Sequence, residues 1–254
     1  MQGWLFGLVQ GVTEFLPVSS SGHLVLLSSW LGTLREGGVL EIGAHLGTLV
    51  AIVAGYRETL ATWGRELLQG RSWARHHLYL LVVASIPAAV VGLALDAWIL
   101  RWFTPQAAAV GWLATTVSVW ATPPPSAGRQ TLDQWTWREA LLVGMSQVLA
   151  LWPGLSRSGA TIMAARRLGL TPEEAARFSF LMALVAVCGA VLLHASDLWA
   201  QPRLWLAPAL WAAGFGWLAL RWVRQALTRQ RSYAYFGWYT LALALVAWWT
   251  GDRG

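Results

Sequence analysis

The chain alternates long apolar runs with short polar loops. Six runs, near residues 38–56, 78–98, 106–121, 178–195, 204–220 and 234–250, are continuous enough to predict membrane helices. Two further apolar segments, roughly 3–30 and 139–165, are interrupted in the middle. The first breaks at Pro17-Val18-Ser19-Ser20-Ser21-Gly22, the second at Pro153-Gly154-Leu155-Ser156-Arg157-Ser158-Gly159. Proline ends a helix and serine caps the next one, so each segment predicts helix, break, helix. At membrane depth such open backbone survives only inside protein or beside a water-filled cavity. Thr171-Pro172 predicts the start of a helix, with Glu173 and Glu174 in a solvated first turn.

The two interrupted segments resemble each other. Gln10 to Gly22 has the spacing of Gln147 to Gly159, and Ser19-Ser20-Ser21-Gly22 falls without gaps on Ser156-Arg157-Ser158-Gly159. The proline is shifted by one position. Loop charge gives the two segments opposite directions. Arg57, Arg65, Arg71 and Arg75 share one loop, and Arg129 and Arg138 another. Arg166, Arg167 and Arg177 follow the second break, and Arg221, Arg224, Arg229 and Arg231 precede the last run. With all four groups in the cytoplasm the six spans alternate without conflict. The first interrupted segment then enters and leaves from outside, the second from the cytoplasm. The predicted fold is an all-α polytopic membrane protein with an inverted-topology repeat. Each unit is one re-entrant helix hairpin plus three transmembrane helices. Residues 1–254 form a single integral membrane domain, with repeat 1 over about 1–121 and repeat 2 over about 139–250. In such architectures sites form near the midplane, where broken helices meet.

Composition agrees. Apolar residues make up 56% of the chain and charged residues 12%, about half the usual share of a soluble domain. Mean hydropathy is +0.49. Trp is abundant, at 19 residues, and Trp102, Trp135, Trp137, Trp222 and Trp249 lie near span ends, as in interfacial belts. The net charge is +6, carried by Arg alone, yet its clustering in short loops fits topology rather than nucleic-acid binding. The single Cys188 excludes an intrachain disulfide. The N-terminus lacks the basic region of a cleaved signal, so none is expected.

The polar residues at the breaks are the candidate chemistry. Gln10 and Glu14, four apart, share a helix face before the first break. Ser19, Ser20 and Ser21 form the break, and His23 lies three after Ser20. A carboxylate at this depth costs about 2.5–3.5 kcal/mol on insertion scales and marks function by default. Ser156, Arg157, Ser158 and Thr161 form the second cluster. Arg157 keeps its proton and must meet an anion or water. If the hairpins meet, Arg157 faces Glu14 and the serine-rich turn, beside helix-start N–H groups that suit an anion. Two readings stand open: a phosphate site, or a structural Arg–Glu lock between hairpins.

The stretches QGVTEFLPVSSSGHL from Gln10 and WPGLSRSGATI from Trp152 resemble the two signatures of undecaprenyl diphosphate phosphatases of the bacitracin-resistance type. HLGTLVAIV from His45, SIPAAVVG from Ser85 and EEAARFSFLMAL from Glu173 extend the resemblance over nearly the whole chain in order. The resemblance implies an inverted repeat with two re-entrant hairpins in the bacterial cytoplasmic (inner) membrane. It implies hydrolysis of a polyprenyl diphosphate to recycle the lipid carrier of cell-wall synthesis, with a divalent cation, Mg²⁺ or Ca²⁺. By motif, Glu14 would be the catalytic carboxylate and the metal ligand. Ser20 would be nucleophile or phosphate ligand, and His23 acid/base or, in a rival view, nucleophile. Arg157 would be catalytic, and Gln10, Ser19, Ser21, Ser156, Ser158 and Thr161 would bind substrate. Gln10 would be the Glu-or-Gln position that supports Glu14, and being neutral it leaves one carboxylate fewer than in Glu-bearing members. Ala183-Leu184-Val185 stands where the family often has Ala-Ile-Pro, which puts a helix kink in question. The expected partners are the polyprenyl diphosphate and the bilayer, not nucleic acid, and a homodimer is left open. The alternative reading is a polyprenyl-phosphate transporter or flippase.

Overall fold

The computed structural model describes residues 3–32, 37–227 and 229–251, and residues 37, 125 and 230–232 by backbone alone. The side chain of Arg231, one of the loop charges, and parts of the expected repeat 1 at 1–2 and 33–36 therefore lie outside the described residues. The described chain is helical, apart from one isolated bridge between Gln130 and Leu170.

The first interrupted segment is two helices, α1 (Gly3–Glu14) and α2 (Ser20–Leu31). Pro17 lies between them. Ser19 turns the chain with φ 64 and caps α2, its hydroxyl accepting from the Gly22 N–H at 3.4 Å. Helix α3 (Gly37–Gly55) follows. The charged stretch expected as loop is a surface helix, α4 (Arg57–Leu68), with no buried residue. Glu58 in its first turn and Arg65 in its last complement the helix dipole. Helix α5 (Ser72–Leu100) carries Pro87 inside it and begins six residues before the predicted span. Thr104 caps α6 (Pro105–Trp120).

The second half repeats the pattern. A box of Thr136 and Glu139 caps α7 (Trp137–Leu149). After the break, Ser156 caps α8 (Arg157–Arg167), accepting from Gly159 N–H at 3.1 Å. Thr171 caps α9 (Pro172–Leu193) as expected, while Glu174 pairs with Arg177 at 2.6 Å. Residues Ala183-Leu184-Val185 lie inside α9. Helices α10 (Ala195–Ala200), α11 (Pro202–Leu227) and α12 (Gln230–Gly251) complete the chain.

Among the described residues four helices are long and apolar enough to cross a membrane: Gly38–Gly55, Ser72–Leu100, Pro172–Leu193 and Pro202–Leu227. Six spans were expected. The difference lies in α6, which has only 16 residues, and α12, whose Tyr and Trp residues lower its hydropathy. On α5 the side chains of Val82, Ile86, Val90 and Leu93 point outward with half or more of their surface uncovered. A continuous apolar face of this kind needs lipid or a partner, not water. An all-helical chain with four candidate spans is consistent with a polytopic membrane protein.

The packing fixes how the helices run. On α1, Gly3 and Gly7 face Pro208 of α11, and Gly11 faces Ala212, so the two helices run parallel and start at the same end. Gly43 and Gly47 of α3 meet Trp205 and Ala209 in the same sense. Helices α6 and α12 are antiparallel: Trp120 Nε1 donates to Ala234 O at 3.2 Å, and Gln106 Nε2 to Gly251 O at the other end. The arginine-rich loops collect at the end where α3 and α11 finish. There Arg224 lies over the Tyr56 ring at 5.3 Å, and His77 meets Asp133 at 2.8 Å. Arg166 donates to Pro124 O at 2.5 Å and Arg167 to Ala121 O at 3.0 Å. Helix α7 starts and α8 finishes at this arginine-rich end, whereas α1 starts at the opposite one.

Candidate active site

Glu14 is the centre of the polar cluster, and its carboxylate is almost fully covered, at 4% exposure. Both oxygens are engaged. Oε2 accepts from Gln10 Nε2 at 2.8 Å, one helical turn earlier, and from Ser20 Oγ at 2.6 Å across the break. Oε1 forms an ion pair with Arg157 Nη2 from the second break. Removing a carboxylate from water is expensive, and the guanidinium with two hydrogen bonds offsets that cost. Two polar atoms on the partners of Glu14 have no partner among the described residues: Gln10 Oε1 and Arg157 Nη1, both buried. The expected meeting of an acidic tip with a basic tip is therefore present.

Helix α6 holds the two tips in register. Trp112 Nε1 donates to Val18 O at 2.8 Å in the first break. Thr115 serves the second: its hydroxyl donates to Gly154 O at 2.8 Å and accepts from Ser156 N–H at 2.8 Å. Ser158 Oγ then donates to Leu16 O at 3.0 Å and ties break to break directly. The approach is close enough to require glycine. A Cβ on Gly22 would lie 2.8 Å from the Trp112 ring and 2.9 Å from Gly154 Cα. Gly154 itself has φ 82, in the left-handed region.

The remaining motif residues divide by position. Ser19 is buried as the α2 cap, 3.1 Å from the Ser21 hydroxyl, and Ser156 and Ser158 are likewise 3.1 Å apart. Thr161 is fully buried; it donates to Arg157 O at 2.8 Å and shares a 2.7 Å bond with Ser179. Thr161 thereby anchors the turn that carries Arg157 onto α9. His23 does not bond to Ser20 or Glu14. Its Nδ1 donates to Ser19 O at 2.6 Å, and its Nε2 meets the Tyr239 hydroxyl at 2.8 Å. Sequence reasoning missed Trp112, Thr115 and Tyr239. The paired Thr115-Thr116 inside an apolar run is a usable signal. Nothing distinguishes Tyr239 from Tyr235 in sequence.

Residues 3–246 match the family described as Bacitracin resistance protein BacA. The chain belongs to that family. An undecaprenyl-diphosphatase of Magnetococcus marinus is 39% identical over 78% of this chain and 77% of its own. One of Carboxydothermus hydrogenoformans is 37% identical over 76% of this chain and 72% of its own. Undecaprenyl-diphosphatase 1 of Bacillus licheniformis is 34% identical over 95% of this chain and 94% of its own. Each of these relatives carries the name of a diphosphatase rather than a transporter.

Proposed function

We propose that the protein is a membrane phosphatase that converts undecaprenyl diphosphate to undecaprenyl phosphate and inorganic phosphate, returning the lipid carrier to cell-wall synthesis and supporting bacitracin resistance. One observation carries the reading: Arg157 and Glu14 join the tips of two broken helices, with Arg157 Nη1 and Gln10 Oε1 left unpartnered beside them. Buried polar groups are normally paired, so a donor and an acceptor left idle on the two side chains that flank Glu14 favour a ligand there over a purely structural lock. A diphosphate supplies acceptors for the idle guanidinium N–H, in the bidentate manner that favours Arg over Lys.

The chemistry follows from the contacts. Ser20 already donates its proton toward Glu14 Oε2, so Glu14 is the base within its reach, and His23 is not. Either the Ser20 oxygen or a water oxygen bonds to the terminal phosphorus. The bond from that phosphorus to the bridging oxygen breaks, and the bridging oxygen stays with the lipid phosphate. If Ser20 attacks, water later cleaves the phosphoserine. The proton of the attacking oxygen passes to Glu14. Arg157 meets the charge on the transferring group, where most of the rate gain of phosphoryl transfer arises.

The donor set fits a hard divalent cation. Glu14, the free Gln10 Oε1 and nearby serine hydroxyls are oxygen ligands, and one carboxylate with substrate phosphates is a common Mg²⁺ arrangement. Glu14 and Gln10 would hold it, and it would neutralise charge on the diphosphate.

The same proposal includes the finer architecture. The α1–α2 and α7–α8 pairs are read as re-entrant hairpins of an inverted repeat, one unit over about 1–121 and the other over about 139–250. Two features support this: the matched spacing of the two breaks, and the start of α1 at the end opposite to that of α7. With the arginine-rich end in the cytoplasm, the protein is a multi-pass protein of the bacterial inner membrane. The deciding experiment is phosphate release from undecaprenyl diphosphate by the purified protein in detergent, with and without chelator. Hydrolysis needs no second compartment, so absence of release with added Mg²⁺ or Ca²⁺ would refute the proposal.

A further inference from the structure

A cavity of about 460 Å³ lies between the first hairpin, α11 and α12. Val12 of α1, Leu16 and Val18 of the first break, Trp222 and Ala226 of α11 and Phe236 of α12 form its apolar walls. Val12 is two residues from Glu14, which puts it about 200° round α1 on the opposite face. The cavity therefore lies behind α1 as seen from the carboxylate, apart from the Glu14 cluster.

Its inner polar atoms do not suit water. Thr13 Oγ1 donates to Val9 O at 2.6 Å, and the Tyr239 hydroxyl meets His23 Nε2 at 2.8 Å. A trapped water needs about two to four polar partners, and these walls have few to offer. Hydrocarbon suits them. The rim differs. Trp222 and Tyr235 are 54% and 69% exposed there, amphipathic rings of the kind found where lipid meets water. Arg229 stands beside them, exposed, at the arginine-rich end of the bundle. No carboxylate lines the cavity, and none of the ion pairs among the described residues uses Arg229.

We propose that this cavity holds one acyl chain of an anionic phospholipid, drawn from the leaflet at the arginine-rich end, with the lipid phosphate on Arg229. The apolar walls select the chain, and the unpaired guanidinium selects the head, because Arg takes phosphate oxygens in a bidentate fork. A zwitterionic head offers the same phosphate but carries its own cation beside it. Inside, the chain packs against Leu16 and Val18. Their carbonyls accept from Ser158 Oγ at 3.0 Å and Trp112 Nε1 at 2.8 Å, two bonds that hold the first break to its neighbours. A bound chain thus supports the turn that carries Ser19 and Ser20 from behind, and it stabilises the folded protein by mass action.

The test uses the intact chain, purified in neutral detergent and stripped of lipid. Added phosphatidylglycerol should raise the melting temperature saturably by about 4 °C, and phosphatidylcholine by less than half as much. Native mass spectra should show one retained phosphatidylglycerol. Arg229→Gln should make the two lipids equivalent. Val12→Phe fills the cavity from α1 and should remove both the shift and the bound lipid; Ala226→Leu fills it from α11 and serves if Val12→Phe does not fold. Arg221→Gln alters an arginine that lies over the Trp217 ring at 4.8 Å, away from the cavity, and should behave as wild type. An equal response of wild type to the two lipids overturns the site, as does a wild-type response in Arg229→Gln and the filled variants, which is general solvation by lipid. Displacement of the bound phosphatidylglycerol by an equal concentration of farnesyl phosphate also overturns it, since the cavity then selects an isoprenoid chain. Both readouts are independent of turnover, so they stand or fall separately from the phosphatase reading.

Discussion

Arg157 and Glu14 are 143 positions apart in sequence and form an ion pair at the meeting of two helix breaks. Neither is stable alone at that depth, since each would be a buried charge without a counter-charge. Together they connect the two halves of the chain and leave one guanidinium nitrogen for a ligand.

Arg157→Ala removes both functions and strands the Glu14 carboxylate. Phosphate release should fall by about a thousandfold or more, the scale of losing a transition-state arginine. Arg157→Lys retains a charge for Glu14 but not the planar fork, so it should fold normally and still lose most activity. Phosphate release, with size-exclusion profiles in detergent to report folding, checks both.

Ser20→Ala removes the 2.6 Å bond to Glu14 and the hydroxyl itself. Turnover should fall by about a hundredfold or more, as for loss of a nucleophile paired with its base. Near wild-type turnover in the same assay assigns the attack to water.

Gln10→Glu places a second carboxylate one turn from Glu14. Two like charges this close raise the cost of the empty site and the gain from a cation. The divalent-cation concentration giving half-maximal activity should drop about tenfold. The melting temperature should become more sensitive to chelator than that of wild type, as thermal scans in detergent will report.

Gly22→Ala tests the approach of the two tips. The added methyl would meet the Trp112 ring and the Gly154 backbone, and the latter cannot yield as a flexible side chain would. A loss of about 1–3 kcal/mol is expected, the usual cost of overpacking, together with lost activity. Thermal unfolding in detergent measures the first and phosphate release the second.

Thr115→Val leaves Ser156 N–H and Gly154 O without their shared partner. Each buried group left unsatisfied should cost about 1–3 kcal/mol. Activity should fall further than stability, because Arg157 follows directly on the backbone that Thr115 holds.

Much of this was legible along the chain. Pro17, Ser19, Pro153 and Ser156 act on neighbouring backbone, so the two breaks and their caps could be read locally. Glu14 and Arg157 stood out because a charge in an apolar run has few explanations. The surface helix α4 was read as loop because the charge pattern masked a helix that Glu58 and Arg65 support at its ends and that Leu60 and Trp63 pack against the core. The helices α6 and α12 fall short of a clear span for two different reasons: α6 has only 16 residues, and the Tyr and Trp residues of α12, largely exposed, lower its hydropathy.

The sequence by itself determined where helices break, which end of the bundle is basic and which charged groups need partners, because these depend on residues within a turn or two of one another and on the solvent around them. Only the tertiary structure decided that Ser20 faces Glu14 while His23 faces Tyr239, and that α6 supplies Trp112 and Thr115 to hold the tips together. Those pairings join residues far apart in the chain, and which side chains meet is set by how helices cross and how closely their glycines let backbones approach.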